Sequence, residues 1–381
     1  MRVLFSIFFY LLLSPYVFHV QAQVQKVPNT EKKWAWLGFE RPAGANPIVR
    51  PDTTSRFFCP MWGRVAQWEN SETFNPAATI INGGIALLYR AEDNIAQGIG
   101  SRTSRIGYAF SEDGIHFQHH GAPVLFPGGD EWTDFDAPGG CEDPRVCMTE
   151  DGLYVMTYTS WNHKLARLSV ATSRDLVHWT KHGPIFSDDH KNQLSKGYSK
   201  SGSIVTEMKD GRQVIARIKG KYMMYWGENF VNIATSEDLI HWTPMLDQDG
   251  KLLHVMDTRR GYFDSQLVEC GPPAIKTKKG IMLFYNGKNR GGDAGDQRYA
   301  SGAYCAGQAL FSRKDPTRLV DRLDEPFFYP EDDFEKSGQY PSGTVFIEGL
   351  VPYKNKWYLY YGCADSFVGM AIYDPAKVKN R

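Results

Sequence analysis

Three ten-residue segments of this 381-residue chain are nearly the same, and this internal repetition constrains its fold more than any other feature. The three segments are residues 108–117 (YAFSEDGIHF), 170–179 (VATSRDLVHW) and 233–242 (IATSEDLIHW). The serines that they share are 62 and 63 residues apart (Ser111, Ser173 and Ser236). Weaker copies follow at residues 311–315 and 372–375. Five copies of one unit indicate a repeat architecture.

Each copy is preceded by a turn and an alternating apolar strand (residues 85–90, 153–159, 221–226, 281–285 and 357–361). Together the two patterns describe a four-stranded unit of the kind that stacks radially in a propeller. A β-sandwich is the alternative, but a sandwich does not require five self-similar units. The sequence therefore predicts an all-β fold, a five-bladed β-propeller.

The Ser-x-Asp turns inside the repeats are interpreted as structural. Ser and Asp side chains can satisfy the backbone of their own turn, and the aromatic residue that follows can pack between blades.

The N-terminus has the pattern of a secretory signal peptide over residues 1–22, cleaved after Ala22. A membrane anchor is the alternative, but the apolar run over residues 3–18 is shorter than the roughly 20 residues that span a bilayer, and Ser14 and Pro15 interrupt it. We expect a soluble secreted or periplasmic protein with no transmembrane span. Residues 23–381 are expected to form one propeller domain, with residues 23–70 packing on it or closing it.

The six cysteines would permit disulfides in an oxidising compartment, but they are too sparse to staple a chain of this length (Cys59, Cys141, Cys147, Cys270, Cys305 and Cys363). No CxxC or CxxH spacing suggests a structural zinc site. We expect buried free thiols.

Several functional classes lack support. The chain has 43 Lys+Arg against 43 Asp+Glu and no basic run, so a nucleic-acid partner is disfavoured. The phosphate-loop pattern GxxxxGK, the GxSxG elbow and the HExxH metal motif are all missing. We predict no metal and no cofactor.

Polar or charged residues occur in four of the five segments where the repeats would begin their innermost strands, and a second set follows where the next strands end. Asp143, Glu228 and Glu269 occupy such positions. Carboxylates gathered in a concave site are costly unless they are paired or perform chemistry, so ion pairs between blades are the structural alternative. Inverting glycoside hydrolysis uses two carboxyl groups roughly 6.5–9.5 Å apart, a gap that a propeller axis can provide.

Several motifs resemble glycoside hydrolase family 130, the β-mannoside phosphorylases and β-mannosidases. They are residues 74–77 (FNPA), 87–90 (LLYR), 104–107 (SRIG), 142–145 (EDPR), 330–331 (PE) and 360–365 (YYGCAD). The resemblance implies a five-bladed propeller, inverting chemistry and mannose in the −1 subsite. It implies that Asp143 donates the proton, acting through the 3-hydroxyl of that mannose. It also implies sugar contacts from Asn75, Arg90, Asp93, Ser104, Arg105, Arg145 and Asp365, and places Lys200 where the phosphorylase branch has a lysine.

One departure from the phosphorylases bears on the reaction. They carry a His-Arg pair at the end of the third-blade strand, whereas this chain has Gly227 and Glu228. A carboxylate there would repel a phosphate dianion but could accept a proton from water. The sequence thus resembles the hydrolytic branch, in which two glutamates activate the water, and Glu228 and Glu269 fit those positions.

We therefore expect an exported inverting β-mannosidase whose partner is a mannose-containing oligosaccharide, with β-1,2 linkages favoured. The nearest alternative is a β-1,4-mannosyl-glucose or mannosyl-N-acetylglucosamine phosphorylase. The other is a non-catalytic carbohydrate-binding propeller. The sequence leaves open which of Glu228 and Glu269 is the base, exo or endo action, and the oligomeric state.

Overall fold

The computed structural model describes residues 28–186 and 197–378, so the proposed signal peptide lies outside the described residues. Within these ranges the regular structure is mostly strand. The helical pieces are single turns: α1 (Thr133–Asp136), α2 (Pro375–Val378) and 3₁₀ turns at Asn29–Glu31, Gly292–Ala294 and Asp333–Glu335. None of the helices described is long and apolar enough to cross a membrane.

The first two blades follow a short hairpin and consist of consecutive antiparallel strands. The hairpin contains β1 (Phe57–Cys59) and β2 (Arg64–Ala66). Blade one contains β3 (Glu72–Ile81), β4 (Gly84–Glu92), β5 (Ser104–Ser111) and β6 (Gln118–His119). Blade two contains β7 (Gly140–Met148), β8 (Tyr154–Trp161), β9 (Ala166–Ser173) and β10 (Trp179–Pro184).

The other three blades repeat this pattern with additions. Blade three contains β11 (Gly202–Lys209), β12 (Arg212–Ile215), β13 (Arg217–Ile218), β14 (Lys221–Trp226), β15 (Val231–Ser236), β16 (Thr243–Pro244) and β17 (His254–Met256). Blade four has a divided inner strand, β18 (Leu267–Cys270) and β19 (Ala274–Lys276), then β20 (Ile281–Lys288), β21 (Tyr304–Phe311) and β22 (Leu319–Arg322). Blade five contains β23 (Val345–Tyr353), β24 (Lys356–Cys363) and β25 (Phe367–Tyr373). The predicted five-bladed β-propeller is confirmed.

An N-terminal segment pairs with the last strand of blade five. Glu40 and Val49 form antiparallel bridges to Ile372 and Val368 of β25, and the Ile48 amide donates to the Val368 carbonyl at 2.8 Å. Residues 40–49 thus lie along the outer edge of the last blade, which leaves less of that edge unpaired.

The apolar core lies in layers between neighbouring blades. One layer joins Val155 and Val170 of blade two to Ile204, Met224 and Trp226 of blade three, all at most 2% exposed. All six cysteines are buried and free, as predicted. Each blade therefore buries its faces against the next, as a propeller requires.

The Ser-x-Asp turns are structural, as predicted. Ser111 Oγ accepts from the Gly114 amide at 2.8 Å, and Asp113 Oδ1 accepts from the Ile115 and His116 amides at 2.8 Å. The other two full copies show the same bonds. In the third copy Trp242 is 3% exposed and packs with core residues of blade two.

Candidate active site

The innermost strands of three blades contain a bulge. The register shifts between Phe74 and Pro76 in β3, between Glu142 and Arg145 in β7, and between Ile347 and Gly349 in β23. Asn75 and Asp143, the residues at two of these bulges, have φ angles of 46° and 50°, in the left-handed region that side chains other than glycine rarely adopt. Bulges next to active sites redirect side chains, and here Asn75 Nδ2 donates to Asp143 Oδ1 at 2.9 Å.

A cavity of about 260 Å³ opens at the bulged end of the axis. Its lining contains five carboxylates (Glu142, Asp143, Glu228, Glu269 and Asp365), two cations (Arg90 and Lys200), Asn75, and five aromatic rings (Trp161, Tyr198, Tyr304, Tyr340 and Phe346). A larger cavity of about 580 Å³ lies towards the other ends of the same inner strands, and no carboxylate is among its described lining residues. Of these two axial cavities, the smaller one therefore holds the carboxylates among the described residues.

Asp143 is surrounded by donors. Arg90 Nη1 lies 3.1 Å from its Oδ1, and Lys200 Nζ lies 3.5 Å from its Oδ2. Burial opposes ionisation, but Arg90, Lys200 and the Asn75 hydrogen bond outweigh it and hold the pKa of Asp143 below its usual range. Asp143 is therefore ionised in this structure near neutral pH.

The neighbouring carboxyl group behaves in the opposite way. Glu142 Oε1 accepts from Arg90 Nη2 at 2.9 Å, yet burial and the charge of Asp143 raise the pKa of Glu142 to about 7 despite that cation. Arg90 is itself fixed by Glu92 at 2.6 Å and by Ser104 Oγ at 3.0 Å. The Arg90 guanidinium thus contacts both Glu142 and Asp143, whose pKa values are shifted in opposite directions.

Glu228 and Glu269 face each other through an antiparallel backbone bridge between blades three and four. The Tyr198 hydroxyl donates to Glu228 Oε2, and the Ser201 hydroxyl donates to Glu269 Oε1. Burial and the charge of Glu228 raise the pKa of Glu269 to about 7, although Lys200 opposes the shift. The pair can therefore keep one carboxylate free to accept a proton.

Lys200 is the cation between the two acidic groups. Its side chain is 17% exposed, and burial disfavours its charge. Asp143, Glu228 and Glu269 outweigh burial and raise the pKa of Lys200 well above its usual range. The lysine is therefore charged, and its charge is shared among carboxylates from three blades.

Asp365 lines the cavity from the end of β24, with a φ angle of 53°. Burial raises the pKa of Asp365 to about 7, and Arg90 only partly offsets it. Within residues 28–186 and 197–378, the structure gives its carboxylate no hydrogen bond shorter than 3.5 Å. Its oxygens are thus available to sugar hydroxyls.

Four of the expected sugar-contacting residues lie behind the cavity wall. Arg145 donates to the Gly271 and Cys270 carbonyls at 3.2 and 2.8 Å, and Arg105 forms an ion pair with Asp93 at 2.6 Å. Ser104 contacts Arg90 and Glu92. These side chains support the wall, and direct contacts of Asp93, Ser104, Arg105 and Arg145 with a sugar stay predictions.

The remaining expected residues meet in the cavity: Asn75, Arg90, Asp143, Lys200, Glu228, Glu269 and Asp365. Sequence reasoning missed most of the aromatic wall. Tyr198 precedes Lys200 by two residues in the segment that leads into β11, and Phe346 lies in β23 just before its bulge, so neither ring has a repeat signal in the sequence. Tyr304 and Tyr340 come from blade-four and loop positions for which the repeats give no signal.

A β-propeller whose axial cavity combines paired carboxylates with aromatic walls has the features of an enzyme that cleaves glycosidic bonds. Residues 52–380 match the sequence model of the family Glyco_hydro_130, described as beta-1,4-mannooligosaccharide phosphorylase. The chain belongs to glycoside hydrolase family 130, as its motifs predicted, and is an enzyme that acts on β-mannosides.

The relatives include a phosphorylase as well as structures described in connection with glycoside hydrolases. The chain is 32% identical over 317 residues to a 1,2-beta-oligomannan phosphorylase from Thermoanaerobacter sp., covering 82% of this chain and 93% of the relative. It is 62% identical to a protein of solved structure from Bacteroides thetaiotaomicron, with a TM-score of 0.90 and coverage of 92% and 99%.

A further solved structure is 59% identical, with a TM-score of 0.89 and coverage of 90% of this chain and 95% of the other. It is described with the finding that this family of mannoside phosphorylases contains glycoside hydrolases that target β-1,2 mannosidic linkages in Candida mannan.

Proposed function

We propose that the protein is an inverting β-mannosidase that hydrolyses β-1,2-linked mannosides. The observation that carries the proposal is the position of Glu228, which lines the cavity and faces Glu269 across the backbone bridge. Two facing carboxylates suit the binding and deprotonation of water, and they are unfavourable neighbours for an anion.

The charge balance of the cavity supports water over phosphate as the nucleophile. Among the described residues, the lining includes five carboxylates and two cations. Arg90 is engaged by Glu92, Glu142 and Asp143, and Lys200 lies against Asp143. A phosphate dianion would need charge-assisted donors that are not already committed to carboxylates.

In the proposed reaction, water attacks the anomeric carbon of the −1 mannose while Glu228 or Glu269 takes its proton. The bond from that carbon to the bridging oxygen breaks with inversion. The bridging oxygen receives the proton of the sugar's 3-hydroxyl, which Asp143 replaces with its own. Asp143 is ionised in this structure, so the donor role requires that it be protonated in the complex, and desolvation by a bound sugar favours that form.

Phosphorolysis is the second candidate, favoured by the description of the family and by the 32% identical relative. Incubation with β-1,2-mannobiose, with and without phosphate, separates the two. Hydrolysis yields free mannose at a rate independent of phosphate. Phosphate-dependent release of mannose 1-phosphate would overturn the proposal, and a parallel assay with β-1,4-mannosyl-glucose and mannosyl-N-acetylglucosamine tests the linkage.

A non-catalytic carbohydrate-binding role is tested by Asp143→Asn. An enzyme loses turnover in this variant, whereas a lectin shows no turnover in either form and retains its affinity.

We also propose that the protein is exported to the periplasm or medium, as the N-terminal pattern indicates. N-terminal sequencing of the protein from its native host would then begin at Gln23. An intact Met1 on the isolated protein would contradict export by cleavage.

A further inference from the structure

The hairpin that carries Glu228 into the cavity also carries an exposed aromatic ring outside it, and a histidine of a neighbouring strand stacks on this ring. Phe230 lies in the connection between β14 and β15, and 43% of it is exposed. Its ring stacks on the imidazole of His254 in β17, with centroids 4.2 Å apart and planes 13° from parallel. The imidazole therefore supports one face of the Phe230 ring, and we call this stacked pair the platform.

The platform is held in a fixed relation to Glu228. Gly227 has a φ angle of 120°, and a Cβ at this position would lie 2.3 Å from the Phe230 carbonyl oxygen, so the chain turns back sharply here. Asn232 Nδ2 donates to the Trp226 and Phe230 carbonyls at 3.3 and 3.4 Å. Asn232 also pairs with His254 across β15 and β17, which aligns the imidazole beneath the ring.

Phe230 is not among the residues that line the cavity, whereas its neighbour Glu228 is. The half-exposed ring of Tyr198, whose hydroxyl donates to Glu228, does line the cavity. Glu228 thus has one exposed aromatic ring as its hydrogen-bond partner and a second one, Phe230, two residues further along the chain. The flat apolar face of such a ring is suited to the C–H face of a pyranose.

We propose that Phe230, supported by His254, binds a sugar unit of the substrate that lies outside the cavity, and so makes the enzyme favour chains longer than a disaccharide. This inference rests on the proposed function, in that it takes a β-1,2-mannoside as the ligand. The cavity takes the two units on either side of the cleaved bond, and the platform takes the third.

The test compares β-1,2-mannobiose with β-1,2-mannotriose and mannotetraose. Phe230→Ala raises KM for the two longer chains about three- to tenfold and leaves kcat unchanged, because a ring contact of this kind contributes about that much to binding. KM for mannobiose stays unchanged. His254→Ala produces a smaller change in the same direction, and Phe230→Tyr restores the KM of the original protein.

Phe58→Ala is the matched control, since Phe58 is an exposed phenylalanine of the β1–β2 hairpin (61% exposed). This substitution leaves the KM values for all three substrates unchanged. An equal effect of Phe230→Ala on mannobiose and mannotriose, or no effect on either, overturns the inference.

Calorimetric titration separates this inference from the proposed hydrolysis. In a Glu269→Gln background, mannotriose binds more tightly than mannobiose, and the additional Phe230→Ala change removes the difference. This binding difference is expected whether the reaction is hydrolysis or phosphorolysis. Equal affinities for mannobiose and mannotriose in the Glu269→Gln background would contradict the sugar-binding role of Phe230 and leave the proposed hydrolysis untouched.

Discussion

Lys200 Nζ lies 3.5 Å from Asp143 Oδ2 and joins the proposed proton donor to the proposed water-binding pair. The charges of Asp143, Glu228 and Glu269 all act on this ammonium group. The lysine therefore controls the ionisation of both halves of the site. Four predictions concern this network.

Lys200→Met removes the cation and leaves the buried carboxylates uncompensated. The free energy of unfolding falls by about 3 kcal/mol at pH 7, as is typical when one member of a buried ion pair is lost. The pKa values of Asp143 and Glu269 both rise, since Lys200 lowers each of them. Urea denaturation at pH 7 and pH 5 measures the loss, which shrinks at the lower pH as the carboxyl groups become protonated.

Lys209→Met provides the control for Lys200→Met, because Lys209 pairs with Glu150 on the exposed surface. Its free energy of unfolding stays unchanged at either pH, since an exposed ion pair contributes little to stability. An equal effect of the two substitutions would contradict the central position given to Lys200.

Glu228→Gln keeps the shape of the side chain and removes its charge. The kcat for β-1,2-mannobiose falls about 10²- to 10⁴-fold, the range expected when a general base or its partner is lost. The charge of Glu228 also raises the pKa of Glu269, so this pKa falls in the variant. The acidic limb of the pH–rate profile of this variant therefore moves to lower pH. An acidic limb at the same pH as in the original protein would contradict the electrostatic interaction between Glu228 and Glu269.

Ser201→Ala removes the hydroxyl that donates to Glu269, and this hydrogen bond lowers the pKa of Glu269. Without it the pKa rises, so a larger share of Glu269 is protonated near neutral pH. The acidic limb of the pH–rate profile moves to higher pH, opposite to the shift in Glu228→Gln. We expect kcat/KM at pH 6.5 to fall about threefold to tenfold, with partial recovery at pH 8, as the loss of one hydrogen bond implies. Ser203→Ala, which removes a hydroxyl bonded to the Pro272 carbonyl, should leave the limb unmoved.

Asp365→Asn should stabilise the fold at the expense of activity. Burial raises the pKa of Asp365 from 3.8 to about 7, so the unfolded chain releases this proton first as the pH rises. Its contribution to stability is therefore lost progressively between about pH 4 and pH 7. The asparagine variant avoids this loss and is more stable at pH 8 by about 1–3 kcal/mol. Thermal unfolding at pH 4 and pH 8 measures the difference, and equal stability of the two proteins at pH 8 would contradict the assigned shift.

The repeats predicted the blades because the Ser-x-Asp turn is a local structure whose hydrogen bonds lie within about five residues. They also predicted that Asp143, Glu228 and Glu269 would converge, since equivalent positions of a propeller meet at its axis. The cavity contains all three. This part of the site follows from periodicity alone.

Other parts of the site depend on contacts between distant segments. The bulges at Asn75 and Asp143 change the register of their strands, and alternation along a strand does not reveal such a shift. Arg145 shares a motif with Asp143, but its guanidinium donates to blade-four carbonyls, which are 125 and 126 residues further along the chain. Pairing of this kind is determined by the packing of blades, so the sequence pattern did not distinguish a wall residue from a lining one.

The pairing of residues 40–49 with β25 determines at which stage of synthesis the propeller can close. Residues 40–49 are synthesised before the five blades, and β25 belongs to blade five, so the two segments pair only after blade five has been made. Asp365 and Phe346 both belong to the final blade and line the cavity. A polypeptide synthesised only as far as blade four therefore lacks one wall of the site, and catalytic competence requires the strands of blade five.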